Sequence, residues 1–253
     1  MGHLLNGQWV TDETLTEDLG GRYVKQPSVF RSWITSDGSS DYPAEPGRYH
    51  LYSATGCPWA HRTALFLMLK QLDGVLTLTN TSQRADGQGW SFDAEGHVVP
   101  GTDHRAIFLH ELYTLSDPDC TARVTVPTLW DSATRTVVSN ESSEIVRMLN
   151  SAFSAFAQDT PDYYPEDLAV EIDSMNALIL DGINNAVNEC GRSTSQEAYE
   201  AASDRLFGTL DQLEDRLGHQ RYLCGDRQTE ADWRLYPSLI RFDSIYFIGY
   251  KCS

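Results

Sequence analysis

Lysine is nearly absent from this chain: Lys25, Lys70 and Lys251 stand against 16 arginines and 22 aspartates. Across all 253 residues, 19 basic side chains face 36 acidic ones, a formal net charge of −17 at pH 7. Such a chain repels both a nucleic-acid backbone and an anionic membrane surface, so neither is expected as a partner. The Asp-rich, Lys-poor balance reads as a surface adapted to high salt, which screens the self-repulsion. No apolar run comes near the roughly 20 residues that a membrane span needs. The start, Met1-Gly2-His3-Leu4-Leu5-Asn6-Gly7, has no basic stretch ahead of a long apolar core, so a secretory leader is not expected.

Paired cysteines are missing as well. Cys57, Cys120, Cys190, Cys224 and Cys252 are odd in number and widely spaced, with no C-x-x-C pair and no Cys/His cluster at zinc spacing. That pattern argues against a disulfide framework and against a structural metal, and it predicts a reducing, cytoplasmic setting with no metal cofactor.

What is present organises itself around Ala54-Thr55-Gly56-Cys57-Pro58-Trp59-Ala60-His61-Arg62. An alternating run from Tyr49 to Tyr52 reads as a strand, and the apolar run from Ala64 to Leu72 reads as a helix, which puts Cys57 at the turn between them. Proline suits the first helical position, and the unpaired N–H groups of a first turn face the capping residue. Their partial positive charge, together with Arg62 where it lies near, favours thiolate over thiol. Cys57 is therefore the candidate nucleophile. His61 falls one turn further on and is read as structural.

Residues 1–45 are rich in Gly, Ser, Thr, Asp and Pro and carry Trp9, Tyr23, Phe30 and Trp33, which predicts an arm pinned to a folded body by its aromatics. Residues 46–158 then give strand, helix, strand (75–80), a glycine-punctuated insertion over 81–108, a short helix near 109–115 and two further strands. Pro127 interrupts the run from Val124 to Trp130, so it belongs at a strand start or edge and is a cis-proline candidate after Val126. Asn140-Glu141-Ser142-Ser143-Glu144 opens the next helix, with Asn or Ser as its cap. Beyond a proline-marked linker, residues 159–253 read as helices over about 166–190, 195–217 and 229 onward. The last begins with Thr229-Glu230-Ala231-Asp232, close to a capping box.

The order β-α-β, loop and helix, β-(Pro)-β-α, with a cysteine at the first helix start, is that of the thioredoxin-like fold, and the helical second half resembles a glutathione transferase. More narrowly, Cys57-Pro58-Trp59-Ala60-His61-Arg62, Gly89-Trp90-Ser91-Phe92, the run from Arg123 to Asp131, Asn140 to Ile145 and Ala231-Asp232-Trp233-Arg234-Leu235 resemble the Xi class, the glutathionyl-hydroquinone reductases. The resemblance implies an α/β thioredoxin-like N-terminal domain followed by an all-α glutathione-transferase-type C-terminal domain that stops short of the family's last helices. It implies glutathione as co-substrate, a glutathionylated aromatic hydroquinone as second substrate, and a homodimer.

On that resemblance Glu141 and Ser142 hold the γ-glutamyl end, which needs a carboxylate for its ammonium and N–H donors for its carboxylate. Val126 would offer its backbone to the cysteinyl part, Arg123 would face the glycyl carboxylate, and Trp90 would pack over the ligand. The aromatic substrate is expected between the Cys57 face and the helical half. The pattern lapses at Asn188 and Arg192, where the family usually carries tyrosine and an aromatic. Ala60 stands three residues after Cys57, so no resolving thiol lies there and an external thiol must finish the cycle. Three alternatives stay open: an Omega-like thiol transferase using the same Cys57, a non-catalytic thiol- or partner-binding scaffold, and γ-glutamylcysteine in place of glutathione, which would leave Arg123 without its partner.

Overall fold

The computed structural model describes residues 2–11, 20–83, 87–157 and 159–253. Contacts divide them into two units, one of residues 2–11 and 26–161 and the other of residues 20–25 and 162–253. The expected arm over 1–45 is thus shared between the units, and the chain passes from one to the other at 161/162; residue 158 lies outside the described residues.

The first unit is built on a four-stranded sheet. Its strands are β1 (Tyr49–Ser53), β2 (Thr77–Asn80), β3 (Thr128–Asp131) and β4 (Thr136–Ser139), in the order β4-β3-β1-β2. All five residues of β1 are buried, as a central strand covered on both faces requires. β1 and β2 run parallel, joined through helix α1 (Pro58–Leu69), while β3 is antiparallel to both β1 and β4. Thr128 stands opposite Tyr52 and Asp131 opposite Tyr49, so Pro127 precedes β3 at the end of the sheet where β1 leads into Cys57. Helices α2 (His110–Ser116) and α3 (Ser142–Ser151) complete the frame, with α3 packed against α1. Tyr52, Trp130, Leu109, Leu112 and Tyr113 form the heart of the core on which the site rests.

Several local expectations shift. The second strand begins at Thr77, because the amides of Val75 and Leu76 both turn back onto the Leu72 carbonyl. The insertion is not plain loop: Ser82–Gln83 pairs with Trp90–Ser91, and His97–Val98 with Arg105–Ala106, all antiparallel. The arm opens with a hairpin, His3–Leu5 against Gln8–Val10, turned by Asn6 (φ 48°) and Gly7 (φ 74°). Positive φ at both central residues is what a tight two-residue hairpin loop demands. The same hairpin exchanges backbone bonds between Leu4 and Ala122 at 2.9 and 3.0 Å. Further on, Ser32 N–H donates to the Val138 carbonyl and Arg31 bridges Ser139, so the arm covers the otherwise open edge of β4. Of the arm's aromatics, Trp9 stacks on His110, Phe30 meets Tyr113 edge-on and Tyr23 lies under Arg192, while Trp33 stays exposed.

The second unit is helical: α4 (Ala169–Ile179), α5 (Ala186–Arg192), α6 (Gln196–His219) and α7 (Glu230–Leu239). The helix expected over 166–190 is broken by a wide π-helical segment, Leu180–Asn185. Gly182 allows α6 to come close there, since a Cβ on it would stand 2.2 Å from Thr209 Oγ1. Ile172, Ile179, Ile183, Leu206 and Leu213 fill the core between these helices. Thr229 and Asp232 form the capping box that starts α7, and Asp232 also accepts the Leu223 amide at 2.9 Å. Among the described residues no helix is long and apolar enough to cross a membrane, and no group of three or more His, Cys, Asp or Glu is placed to hold a metal.

Candidate active site

Cys57 is the N-cap of α1, with Pro58 at the first helical position. Its amide donates to the Ala54 carbonyl at 3.1 Å, and its own carbonyl accepts the His61 amide at 2.9 Å, so the turn is closed on both sides of the sulfur. The side chain is half-buried against the core of the first unit, and Sγ lies 3.6 Å from the Val126 carbonyl oxygen. The first-turn amides of α1 favour an anionic sulfur, whereas a carbonyl acceptor favours the thiol. Ionisation therefore exchanges an S–H to Val126 bond for the helix field. Arg62 is buried and lays its guanidinium over the Trp59 ring, 4.6 Å from the centroid, which ties the cation to the helix that carries Cys57.

The Val126–Pro127 peptide bond is cis. A buried hydroxyl fixes the loop that carries it. Tyr113 on α2 accepts the Thr125 amide at 3.2 Å and the Asn140 side-chain amide at 3.1 Å, and its O–H lies 3.2 Å from both the Thr125 carbonyl and Thr128 Oγ1. Thr128 Oγ1 closes the loop by donating to the Thr125 carbonyl at 2.7 Å. Complete burial pushes the Tyr113 phenol up, so it stays a neutral hydroxyl that can both give and take. Asn140 also donates to Thr125 Oγ1 at 3.3 Å and takes the Phe30 amide on Oδ1 at 3.1 Å. One network therefore holds the Val126 loop, the start of α3 and the arm in register.

At that helix start the cap is Glu141, not Asn or Ser as the residue types suggested. A carboxylate reaches further than either, and Glu141 Oε1 accepts both the Ser143 amide at 3.2 Å and the Ser143 hydroxyl at 2.9 Å. Ser28 of the arm donates to the other oxygen, Oε2, at 2.9 Å. Ser142, in the first turn, is buried, and its Oγ has no hydrogen-bond partner among the described residues. A buried hydroxyl left so costs about 1–3 kcal/mol, which a bound polar ligand would recover.

Trp90 lies half-buried on the same core as Cys57, in the short strand of the insertion. Gly89 takes φ 77° before it, and a Cβ there would stand 2.9 Å from the Trp9 ring. Arg123 is half-buried three residues before Val126, with no hydrogen bond or ion pair among the described residues. Cys57 and Val126 thus meet directly, Val126 and Glu141–Ser142 are joined through Tyr113 and Asn140, and Trp90 shares the core. Sequence reasoning missed Tyr113 and Ser28. A lone Tyr on a short helix and a lone Ser in a polar arm carry no motif, and their partners lie 12 to 113 residues away.

Asn188 and Arg192 have work within the helical unit. Asn188 donates back to the Asn184 carbonyl at 2.9 Å, and the Arg192 guanidinium sits 4.9 Å from the Tyr23 ring centroid.

Comparison with known proteins places the chain among the glutathione transferases. The family pattern for the glutathione S-transferase N-terminal domain matches residues 56–152, and that for the glutathione S-transferase C-terminal domain matches residues 196–250. The chain is 42% identical over 260 residues to the glutathionyl-hydroquinone reductase YqjG of Escherichia coli strain K12, covering 100% of this chain and 79% of that protein. It is 43% identical over 253 residues to the glutathionyl-hydroquinone reductase PcpF of Sphingobium chlorophenolicum, covering 100% and 80%. Among solved structures, the Xi class transferase of Natrialba magadii superposes with a TM-score of 0.90 at 39% identity, over 100% of this chain and 77% of that one. YqjG with glutathione bound gives 0.88 at 40%, over 100% and 78%.

Proposed function

Because the chain belongs to the glutathionyl-hydroquinone reductases, the Xi class of glutathione transferases, we propose that it reduces S-glutathionyl-hydroquinones to hydroquinones through Cys57. The observation that carries this reading is a single thiol, capping α1 and facing the Val126 carbonyl at 3.6 Å, with no second cysteine within the helix turn that follows. Thiolate at Cys57 attacks the glutathione sulfur of the aryl thioether. The sulfur–carbon bond breaks, the aryl carbon takes the electron pair and is protonated in its keto form, and a Cys57–glutathione disulfide remains. A second glutathione thiolate then attacks the glutathionyl sulfur, leaving glutathione disulfide and returning the Cys57 thiolate. In sum one glutathione thiol and the glutathionyl sulfur of the substrate become glutathione disulfide, and the aryl carbon gains the two electrons and a proton.

The ligand's parts have natural counterparts. Val126 offers backbone groups beside the sulfur, as an added strand would use them. The Arg123 guanidinium, unpaired among the described residues, suits the glycyl carboxylate. Ser142 Oγ and the first amides of α3 suit the γ-glutamyl carboxylate, and Glu141 its ammonium; a carboxylate has about four acceptor sites, so capping and ammonium binding are compatible. Trp90 packs over the ligand. The same premise carries a homodimer, and five free thiols support a reducing, cytoplasmic setting.

The test is incubation with a glutathionyl-hydroquinone and glutathione, following hydroquinone and the Cys57 adduct by intact mass. Cys57→Ser should lose on the order of 10³-fold or more in turnover and form no adduct. Retained activity in that variant overturns the nucleophile. Activity on mixed disulfides alone selects the Omega-like thiol transferase instead.

A further inference from the structure

We propose that Ser28, on the N-terminal arm, is a positioning residue of the γ-glutamyl site: its hydroxyl fixes the Glu141 carboxylate for the α-ammonium of the bound thiol. The proposal rests on the reading of Glu141 as the ammonium's partner.

Capping α3 needs only one carboxylate oxygen. Glu141 Oε1 does that task, accepting the Ser143 amide and hydroxyl at 3.2 and 2.9 Å. The second oxygen is nonetheless held, by Ser28 Oγ at 2.9 Å, from a segment 113 residues earlier. Helix capping gives no reason for this second bond. It also comes from a hydroxyl whose own position is set: Ser28 Oγ stands 3.2 Å from the Asn140 carbonyl, so its one proton is steered into the space between that carbonyl and Oε2.

The arm cannot easily shift Ser28 along the helix start. Two residues on, Phe30 exchanges bonds with Asn140, the Asn140 amide to the Phe30 carbonyl at 3.1 Å and the Phe30 amide to Asn140 Oδ1 at 3.1 Å. The Phe30 ring meets Tyr113 edge-on at 5.2 Å, and Ser32 pairs with Val138 at 2.9 Å. Ser28 is thus carried by the same network that holds the Val126 loop. With both oxygens held, the carboxylate plane is fixed; removing Ser28 takes away one of the bonds that fix it. An ammonium recognised by hydrogen bonds loses affinity when its acceptor loses orientation, and the loss falls only on ligands that carry the ammonium.

The test compares glutathione with glutaryl-cysteinylglycine, the same thiol without its α-amino group, by equilibrium binding to the full chain. In Ser28→Ala the Kd for glutathione should rise about 5- to 10-fold, a part of the worth of one hydrogen bond to a charged group, while the Kd for the des-amino analogue stays within about twofold. Ser28→Thr, which keeps the hydroxyl, should restore discrimination. With a glutathionyl-hydroquinone, KM should rise in step with Kd while kcat stays within about twofold. A loss equal for both ligands, or a lowered unfolding midpoint with discrimination intact, marks Ser28 as merely structural and overturns the proposal. So does an unchanged Kd in Ser28→Ala when Glu141→Gln weakens glutathione. An unchanged Kd in Glu141→Gln removes the reading of Glu141 itself, and the role of Ser28 with it.

Discussion

The two ends of β1 lie roughly 13 Å apart, four residue steps of about 3.3 Å, and they are built in opposite ways. At the amino end Arg48 holds Asp131 through Nε at 2.8 Å and Nη2 at 2.7 Å, and Asp131 also takes the Ala133 amide at 2.9 Å and the Thr134 hydroxyl at 2.7 Å. Asp131 is fully buried, with four donors on one carboxylate. Nothing there is left for a ligand to satisfy. At the carboxyl end, the groups that fix the Val126 loop are neutral: Tyr113, Thr125, Thr128 and Asn140 share hydrogen bonds around it, and Ser142 Oγ waits without a partner among the described residues. The sheet therefore closes its ionic knot at the end away from the sulfur. Where a ligand would arrive it uses groups that can be satisfied in more than one way.

The comparison breaks first if the ionic end proves to matter for binding. Asp131→Ala takes the buried carboxylate from largely buried Arg48, leaving it the more exposed Glu45, and frees two turn donors, which should cost about 3 kcal/mol in urea unfolding. Glutathione Kd should stay within about twofold. Burial alone would raise the Asp131 carboxyl, but hydrogen bonds from Arg48, Thr134 and the Ala133 amide outweigh it and hold the group below its ordinary 3.8. Folded pKa below unfolded pKa means that this stabilisation is complete above pH 3.8 and fades as pH falls through the folded value. A large change in Kd with unchanged stability would reverse the assignment of the two ends.

How far the sequence reaches follows the same division. Cys57 is legible because its signal is local: glycine before, proline after, a strand on one side and a helix on the other. Thr229–Asp232 is legible for the same reason, a cap and its acid three residues apart. Glu141 as cap is not, since Asn and Ser stand beside it and local preference ranks them higher; what selects Glu141 is reach, with Ser28 arriving from the arm. The two-residue ladders of the insertion leave no periodicity to read, and the π-helical segment at Leu180–Asn185 is set by the approach of α6 at Gly182. Asn188 and Arg192 find their partners, Asn184 and Tyr23, in the helical unit's own packing, which no local motif announces.

Within β1, His50 gives a probe of the buried sheet. Its Nδ1 lies 2.5 Å from Thr77 Oγ1, and its ring centroid is 4.5 Å from that of Tyr52 and 5.4 Å from that of His97. Burial, reinforced by the charge of His97, pushes its pKa down from 6.5 to about 4. Between those values the unfolded chain takes a proton that the folded chain refuses, so stability falls as pH falls, by about 1.4 kcal/mol per unit and about 3 kcal/mol in all. His97 and His110, lowered by burial too, add the same sign. Urea midpoints at pH 7, 6 and 5 should show this slope, and His50→Asn should flatten it. An unflattened slope would place the acid sensitivity elsewhere. Because Asp131 acts only below pH 3.8, the two contributions separate in the same titration.

The finest test is Tyr113→Phe at the carboxyl end. The change deletes one oxygen and leaves the ring in place, so packing against Phe30 survives. The Thr125 amide and the Asn140 side chain lose a common acceptor, each inside the protein, and the cost should be about 1–3 kcal/mol, smaller than at Asp131. The signature lies in where the cost falls. Thr128 Oγ1 still ties the Thr125 carbonyl at 2.7 Å, so the loop keeps one anchor and the fold persists. Val126, one residue on, loses its fixed placement beside Cys57, and KM for the glutathionyl substrate should rise severalfold while Asp131→Ala leaves it alone. If Tyr113→Phe lowers stability and leaves KM unchanged, the neutral network is only another way to hold a sheet end together. The contrast between the two ends would then be one of charge and not of purpose.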